Sequence, residues 1–116
     1  MAGGIELPFP HKVLWPNKRG HWGTVSRERK KHRGWAELSA RAEGWKAPEG
    51  TIRLAYTVHP KTRNPIDKDN AIAAMKAYQD GIAAALKVDD STFEEPTITF
   101  AEPRKGGAVI VHVEAM

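Results

Sequence analysis

The segment from Asn64 to Ser91 places a helix with apolar residues at helical spacing between two pairs of aspartates. Asp67 and Asp69 precede the helical pattern, and Asp89 and Asp90 follow it. Two carboxylates about 4 Å apart repel each other by roughly 4 kcal/mol at an effective dielectric constant of 20. A bound divalent cation would remove this repulsion, so the pattern indicates a candidate metal site.

Strands are predicted where apolar and polar residues alternate. The first is short, and Pro8 and Pro10 confine it to an edge of the sheet. The last two are separated by a glycine-containing turn, which predicts that they pair as a hairpin. The four strands are predicted around Ile5 to Phe9 and over Thr51–His59, Thr97–Glu102 and Ala108–Glu114.

Two amphipathic helices are predicted, over about Ser26–Glu43 and Asn70–Leu86. Asp69 or Asn70 is expected to cap the second helix. The buried face of the first helix should contain Val25, His32, Trp35, Leu38 and Ala42. The buried face of the second helix should contain Ile72, Met75, Gln79 or Tyr78, Ile82 and Leu86. These elements predict an α/β (α+β) fold in which a mixed sheet of about four strands packs against two helices.

The composition limits the class of protein. A chain of 116 residues is the length of one domain, which we expect to span residues 1–116. No apolar run reaches the length of a membrane span, no secretory signal is visible at the N-terminus, and cysteine is absent. We therefore expect a cytoplasmic protein without a membrane partner.

The charge is distributed unevenly along the chain. Residues 1–46 contain ten Lys or Arg and four Asp or Glu, a net charge of +6, whereas residues 47–116 contain eight and ten, a net charge of −2. A basic surface beside an acidic site is an arrangement that would hold a polyanion over bound metal.

Asp67 and Asp69 are separated by one residue in a segment expected to be extended, where side chains two apart project to the same side. Oxygen ligands of this kind favour Mg²⁺ over Zn²⁺. Lys76 lies two helical turns after Asp69 and could direct its ammonium group towards a phosphate there. In the alternative interpretation these residues only stabilise the fold. Asp69 would cap the helix, and Asp67 would place a favourable negative charge near the helix N-terminus. Asp89 and Asp90 would form a solvated turn, and Lys76 would pair with Asp80.

The stretch between Trp15 and Trp35 is basic and aromatic, which is typical of a nucleic-acid surface, although a charged helix face can simply be solvated. Basic side chains would contact phosphates, and His21 or Trp22 could stack on an exposed base. The predicted DNA-binding residues are Lys18, Arg19, His21, Trp22, Arg27, Arg29, Lys30, Lys31 and Arg33.

Several of these motifs together resemble the RusA family of Holliday junction resolvases, which occurs in phages and prophages. The motifs are Asp67-Lys68-Asp69-Asn70, Lys76, Asp80-Gly81 and Asp89-Asp90-Ser91, with the upstream Pro16-Asn17-Lys18-Arg19-Gly20-His21-Trp22 turn and the Lys105-Gly106-Gly107 turn. Lys76 lies further from the first motif than in the best-known members, as if about one helical turn were inserted.

The resemblance implies a homodimer that resolves branched DNA by symmetric cleavage in recombination and repair. It implies Mg²⁺ ligands at Asp67, Asp69 and Asp90, with Asp89 the less favoured neighbour, and a catalytic role for Lys76. We therefore predict a Mg²⁺-dependent endodeoxyribonuclease acting on four-way junctions. The alternatives are a non-catalytic DNA-binding module and a metal-dependent nuclease acting on flaps or single strands.

Overall fold

A computed structural model describes residues 3–16 and 21–116 of the chain. The strands are β1 (Ile5–Leu7), β2 (Ile52–His59), β3 (Thr97–Phe100) and β4 (Ala108–Ala115), and the helices are α1 (Trp22–Glu43), α2 (Lys68–Ala74) and α3 (Lys76–Leu86). Short 3-10 turns cover Lys12–Leu14 and Asp90–Thr92. The fold is a mixed four-stranded sheet with three helices, which confirms the predicted α+β class. Within the described residues, no helix has the length and apolar character needed to span a membrane.

The last strand lies inside the sheet, whose strand order is β1-β4-β2-β3. β4 runs antiparallel to both neighbours, with Val109 opposite Leu7 of β1 and Val58 of β2. β3 runs parallel to β2, with Phe100 opposite Val58. The carboxyl ends of β1, β2 and β3 therefore meet at one end of the sheet, where β4 begins.

The predicted hairpin between the last two strands is wrong, because β2 lies between them. The connection from β3 to β4 passes over the end of β2, where the Ala101 amide donates to the Val58 carbonyl at 2.8 Å and the Arg104 amide donates to the Pro60 carbonyl at 2.9 Å. The alternation of Val109, Val111 and Val113 predicts a strand but does not specify its neighbours.

One face of the sheet forms the core with the helices. Ile52, Leu54, Tyr56 and Val58 are buried along β2 while the intervening residues are half-buried, which confirms the predicted alternation. β1 is an edge strand, as its flanking prolines predict.

α1 is longer than predicted and buries a different stripe. It begins at Trp22, because the Nδ1 atom of His21 accepts a hydrogen bond from the Gly23 amide at 3.1 Å, and it continues unbroken through Gly34. Val25 and His32 are buried as expected, and Trp35 is half-buried. Leu38, which is 69% exposed, and Ala42, also exposed, were wrongly assigned to the buried face. Ala36 and Ala40 take that role, since their small side chains allow α3 to approach closely.

The second predicted helix is divided into α2 and α3 at Met75, which ends one helix and begins the next. Met75, Tyr78, Ile82 and Leu86 are buried as predicted. Tyr78 rather than Gln79 is the buried alternative, and Ile72 is only half-buried.

The two long helices α1 and α3 approach each other closely at Gly81 of α3. A Cβ atom added there would lie 2.2 Å from the backbone carbonyl oxygen of Arg33 in α1. Backbone cannot yield as a flexible side chain can, so only glycine fits this crossing. Gly34, one residue further along α1, has nothing within 4 Å of its added Cβ.

Gly81→Ala and Gly34→Ala form a matched pair with opposite expected effects. Gly81→Ala forces the two helices apart and should lower the free energy of unfolding by about 1–3 kcal/mol. Gly34→Ala has open space in a helix interior and should raise that free energy by about 0.5–1 kcal/mol. Denaturant unfolding of both variants measures the difference, and equal effects would contradict the close helix crossing.

Candidate functional site

The first acidic pair lies at the N-terminus of α2. Asp67 is the N-cap: its Oδ1 atom accepts a hydrogen bond from the Asn70 amide at 3.0 Å. Asp69 follows in the first helical turn, and both side chains are exposed. The expected capping role of Asp69 or Asn70 is therefore wrong. Asp67 has extended backbone, but Asp69 lies within the helix that begins at Lys68, so the predicted extended geometry does not cover both carboxylates.

Lys76 connects α3 to the second acidic pair. Its Nζ atom lies 2.8 Å from Oδ2 of Asp90 and 3.0 Å from Oδ1 of Asp80. The Asp80 contact is the one that the structural alternative predicted, and the ammonium group points to these two carboxylates instead of back towards Asp69. The hydrogen bond to Asp90 and then the contacts with Asp80 raise the pKa of Lys76, although partial desolvation opposes them. Lys76 is therefore protonated at neutral pH.

Asp89 has a local structural role next to this contact. Its Oδ1 atom accepts a hydrogen bond from the Ser91 amide at 2.9 Å and caps the 3-10 turn Asp90–Thr92. This backbone hydrogen bond lowers the pKa of the Asp89 carboxyl group. Asp89 is thus ionised and fixed in the loop, and Asp90 is the member of the pair that contacts Lys76.

The four predicted metal ligands do not form one group. In residues 3–16 and 21–116, no three Asp, Glu, His or Cys side chains come together in a way that could hold a metal ion. Asp69 lies in α2 and Lys76 lies in α3, on the two sides of the division at Met75. The hypothesis that Asp89 or Asp90 returns to the Asp67–Asp69 pair is therefore not met within one chain.

The donor chemistry at the α2 N-terminus nevertheless suits Mg²⁺. Carboxylate oxygens are the ligands that this ion prefers, and proteins often bind it through one or two carboxylates, with water and substrate phosphates completing the shell. The exposed Asp67 and Asp69 satisfy that requirement. The full set with Asp90 does not, because Asp90 is held by Lys76.

The predicted DNA-binding residues that the structure describes are all exposed. They are His21, Trp22, Arg27, Arg29, Lys30, Lys31 and Arg33. Lys18 and Arg19 lie outside the described residues. Trp22 is 78% exposed and stacks on His21, with ring centroids 5.9 Å apart. Lys31 is partly neutralised by Glu28, whose carboxylate lies 3.0 Å from its Nζ atom.

Arg29 and Lys76 line one groove between α1 and the α2–α3 segment, with a volume of about 280 Å³. The sequence placed these residues in separate hypotheses, one for DNA binding and one for catalysis. Only the packing of α1 against α3 shows that the basic helix reaches the side of the molecule where Lys76 lies.

A larger cleft, of about 550 Å³, was missed by the sequence analysis. It is lined by Asp67 and Asn70 and by two proline-rich segments, one that includes Phe9, Lys12 and Trp15 and one around Lys61. Prolines that flank an aromatic residue are a weak signal for such a cleft. Nothing in the sequence shows that the two segments adjoin.

Comparison with known proteins gives a relative without an assigned role. No model of a known protein family matches the chain. A protein of Xylella fastidiosa (strain Temecula1 / ATCC 700964), described as an uncharacterized protein, is 40% identical over 113 residues. The alignment covers 94% of this chain and 74% of the relative. The chain therefore belongs to the same family as the Xylella fastidiosa protein.

Substitutions at Asp67 separate its capping role from its charge. Asp67→Ala removes the acceptor for the Asn70 amide and should lower the free energy of unfolding by about 1 kcal/mol. Asp67→Asn retains an acceptor oxygen at the cap, so it should cost only a few tenths of a kcal/mol. Urea denaturation of the two variants tests this, and equal losses would show that the negative charge, not the cap hydrogen bond, stabilises α2.

Proposed function

We propose that this protein is a Mg²⁺-dependent endodeoxyribonuclease that cuts phosphodiester bonds in branched DNA, with a four-way junction as its substrate and a homodimer as its active form. Two chains related by symmetry would place two equivalent sites on the two strands that are cut. The resemblance to junction resolvases described above motivates the choice of substrate.

The placement of Lys76 is the observation that carries the proposal. Lys76 contacts Asp90 directly and shares a groove with Arg29 of the basic helix. Two residues of the resolvase-like motifs, Lys76 and Asp90, are therefore in contact although they are 14 positions apart in the sequence. The proposed DNA-binding surface lies next to them. A solvated charge on a helix would not require this combination.

The residues of the chain would divide the chemistry among them. Asp67 and Asp69 would hold the ion, which when bound supplies a water of lowered pKa and neutralises charge on the phosphate. Lys76, whose ammonium group contacts Asp80 and Asp90, would neutralise a backbone phosphate of the bound DNA at the groove that it shares with Arg29. The exposed cations of α1 would position the arms of the junction.

A non-catalytic DNA-binding module is the second candidate, and one observation favours it. Asp67 caps α2, Asp89 caps a 3-10 turn, and Asp80 and Asp90 pair with Lys76, so each of these carboxylates has a structural partner without any metal. In that case the basic helix would function and the acidic residues would only stabilise the fold.

Asp69→Asn distinguishes the two candidates. With a labelled four-way junction and Mg²⁺, the wild-type protein should make paired, symmetric cuts that EDTA abolishes. The variant should cut more slowly by about 100-fold or more, because the electrostatic stabilisation of the reacting phosphate is lost. Its affinity for the junction should be unchanged or higher, because a negative charge near the DNA has been removed.

Glu49→Gln is the matched control for this experiment. Glu49 is an exposed carboxylate in the connector before β2, at the opposite end of the sheet from Asp67. This variant should cleave like the wild type. Tight junction binding without cleavage by the wild-type protein would favour the binding module. Preferential cutting of flap or single-stranded DNA would show that these, and not the junction, are the substrate.

Junction binding should weaken steeply with salt, because Lys and Arg release counterions from the DNA. Arg29→Gln should reduce the slope of log affinity against log salt concentration by about 1 for each phosphate that the side chain no longer neutralises. Arg41→Gln is the control on the same helix, since Arg41 was not predicted to bind DNA and is paired with Glu37 at 2.8 Å. Salt-independent binding, or equal slopes in both variants, would contradict the assigned surface.

A further inference from the structure

The cleft beside Asp67 has a wall of stacked aromatic rings. The ring centroids of Phe9 and Trp15 are 5.3 Å apart, with 19° between the planes. Trp15 is fixed in place, because its Nε1–H donates to the Pro10 carbonyl at 3.2 Å and its side chain packs against Ala71 and Ala74 of α2. Only 8% of Trp15 is exposed, so the half-buried Phe9 ring supplies the accessible part of this wall and Trp15 supports it.

Glycine is required behind this wall at position 107. Gly107 has a φ angle of 71°, which L side chains rarely adopt, and an added Cβ atom would lie 2.8 Å from the Cβ atom of Phe9. The residue before β4 therefore lies close to Phe9, on the side of the ring where a larger side chain would displace it.

Cationic and polar groups surround the apolar wall. Lys12 and Lys61 are exposed at the cleft, and Nζ of Lys61 lies 5.7 Å from the centroid of the Phe9 ring. Asn64 and Asn70 add hydrogen-bonding groups to the lining. Asp67 contributes the only carboxylate among the described lining residues, so cationic side chains outnumber anionic ones there.

This combination of groups matches one class of ligand. A nucleotide joins a flat apolar base to an anionic phosphate, and aromatic rings with nearby cations are how proteins hold unpaired bases. The cleft volume of about 550 Å³ lies in the range of sites that enclose a small ligand, and it cannot admit a duplex.

We propose that the cleft binds one unpaired nucleotide of a DNA strand, with its base against the Phe9 ring that Trp15 supports and its phosphate at Lys12 and Lys61. This inference rests on the proposed function in taking DNA as the ligand. At a branch point a base has lost a stacking neighbour, so extruding it costs less than in a continuous duplex. Because Asp67 lines the same cleft, the captured nucleotide would lie next to the proposed metal-binding residues and would fix which phosphate is cut.

The first test compares two probes of equal length and charge: a short oligothymidylate and an oligonucleotide made only of abasic sites. Both are titrated in EDTA, so that cleavage has no part in the measurement. The oligothymidylate should bind about tenfold more tightly, since stacking of a base is worth roughly 1–3 kcal/mol. Its binding should also shift the NMR signal of the Trp15 indole N–H. Equal affinities, or an unshifted Trp15 signal, would overturn the proposal.

Variants locate the effect in the cleft. Phe9→Leu should remove most of the tenfold preference for bases, whereas Phe93→Leu, at a half-buried phenylalanine beside the other end of β2, should retain it. Lys61→Gln should weaken binding of both probes, and Lys46→Gln, at an exposed lysine in the connector after α1, should change neither. If Phe9→Leu does not fold, the two probes and the Trp15 signal decide the matter in the wild-type protein.

Further outcomes separate this inference from the nuclease proposal. A base preference in a protein that does not cleave junctions would support the cleft and refute the nuclease. Junction cleavage by a protein without a base preference would do the reverse. Thymidine monophosphate alone should bind far more weakly than the oligothymidylate. Equal affinity for the two would refute strand binding and show that the cleft binds free nucleotides.

Discussion

The position of β4 between β1 and β2 is the constraint on which the rest of the structure depends. Within residues 3–16 and 21–116, β1 has three residues and pairs with β4 alone, and β3 pairs only with β2. The last strand of the chain therefore completes the sheet, and its arrival also brings Gly107 against Phe9. The cleft beside Asp67 is formed by segments that meet at this end of the sheet, so the candidate site depends on the position of β4.

A buried histidine fixes the basic helix relative to this cleft. The Nε2 atom of His32 accepts a hydrogen bond from the His11 amide at 3.1 Å, and its Nδ1 atom lies 2.7 Å from the Glu28 carbonyl, to which it donates. One neutral tautomer satisfies both contacts. Burial lowers the pKa of His32, which favours the neutral imidazole, and the two hydrogen bonds select its tautomer. The segment that carries Lys12 and Trp15 is thereby attached to α1 by a contact that needs no ion pair.

The sequence predicts local structure here better than it predicts neighbours. Alternation along Ile52 to Val58 identified both the strand and its buried face, but the same signal in β3 and β4 could not show that β2 lies between them. No glycine or proline lies at Met75, so the sequence does not predict that the helix divides there. Ala36 and Ala40 replace Leu38 on the buried face because Gly81 brings α3 close, and that distance depends on tertiary packing. Lys76–Asp90 is likewise a tertiary contact, whereas Lys76–Asp80 follows from helical spacing.

The acidic pairs themselves need less explanation than their spacing in the sequence suggests. Asp67 and Asp69 lie at the positive end of the α2 dipole, which favours negative charge, and Asp67 accepts a backbone hydrogen bond there. At the other end, the Lys76 ammonium neutralises Asp80 and Asp90. Both repulsions are thus relieved without an ion, so bunched carboxylates alone are weak grounds for a metal site. Two arrangements go beyond the acidic pairs: Arg29 lies in one groove with Lys76, and the stacked rings of Phe9 and Trp15 line the cleft beside Asp67. Helix capping explains neither arrangement, so the proposed function rests on these tertiary contacts more than on the spacing of the aspartates.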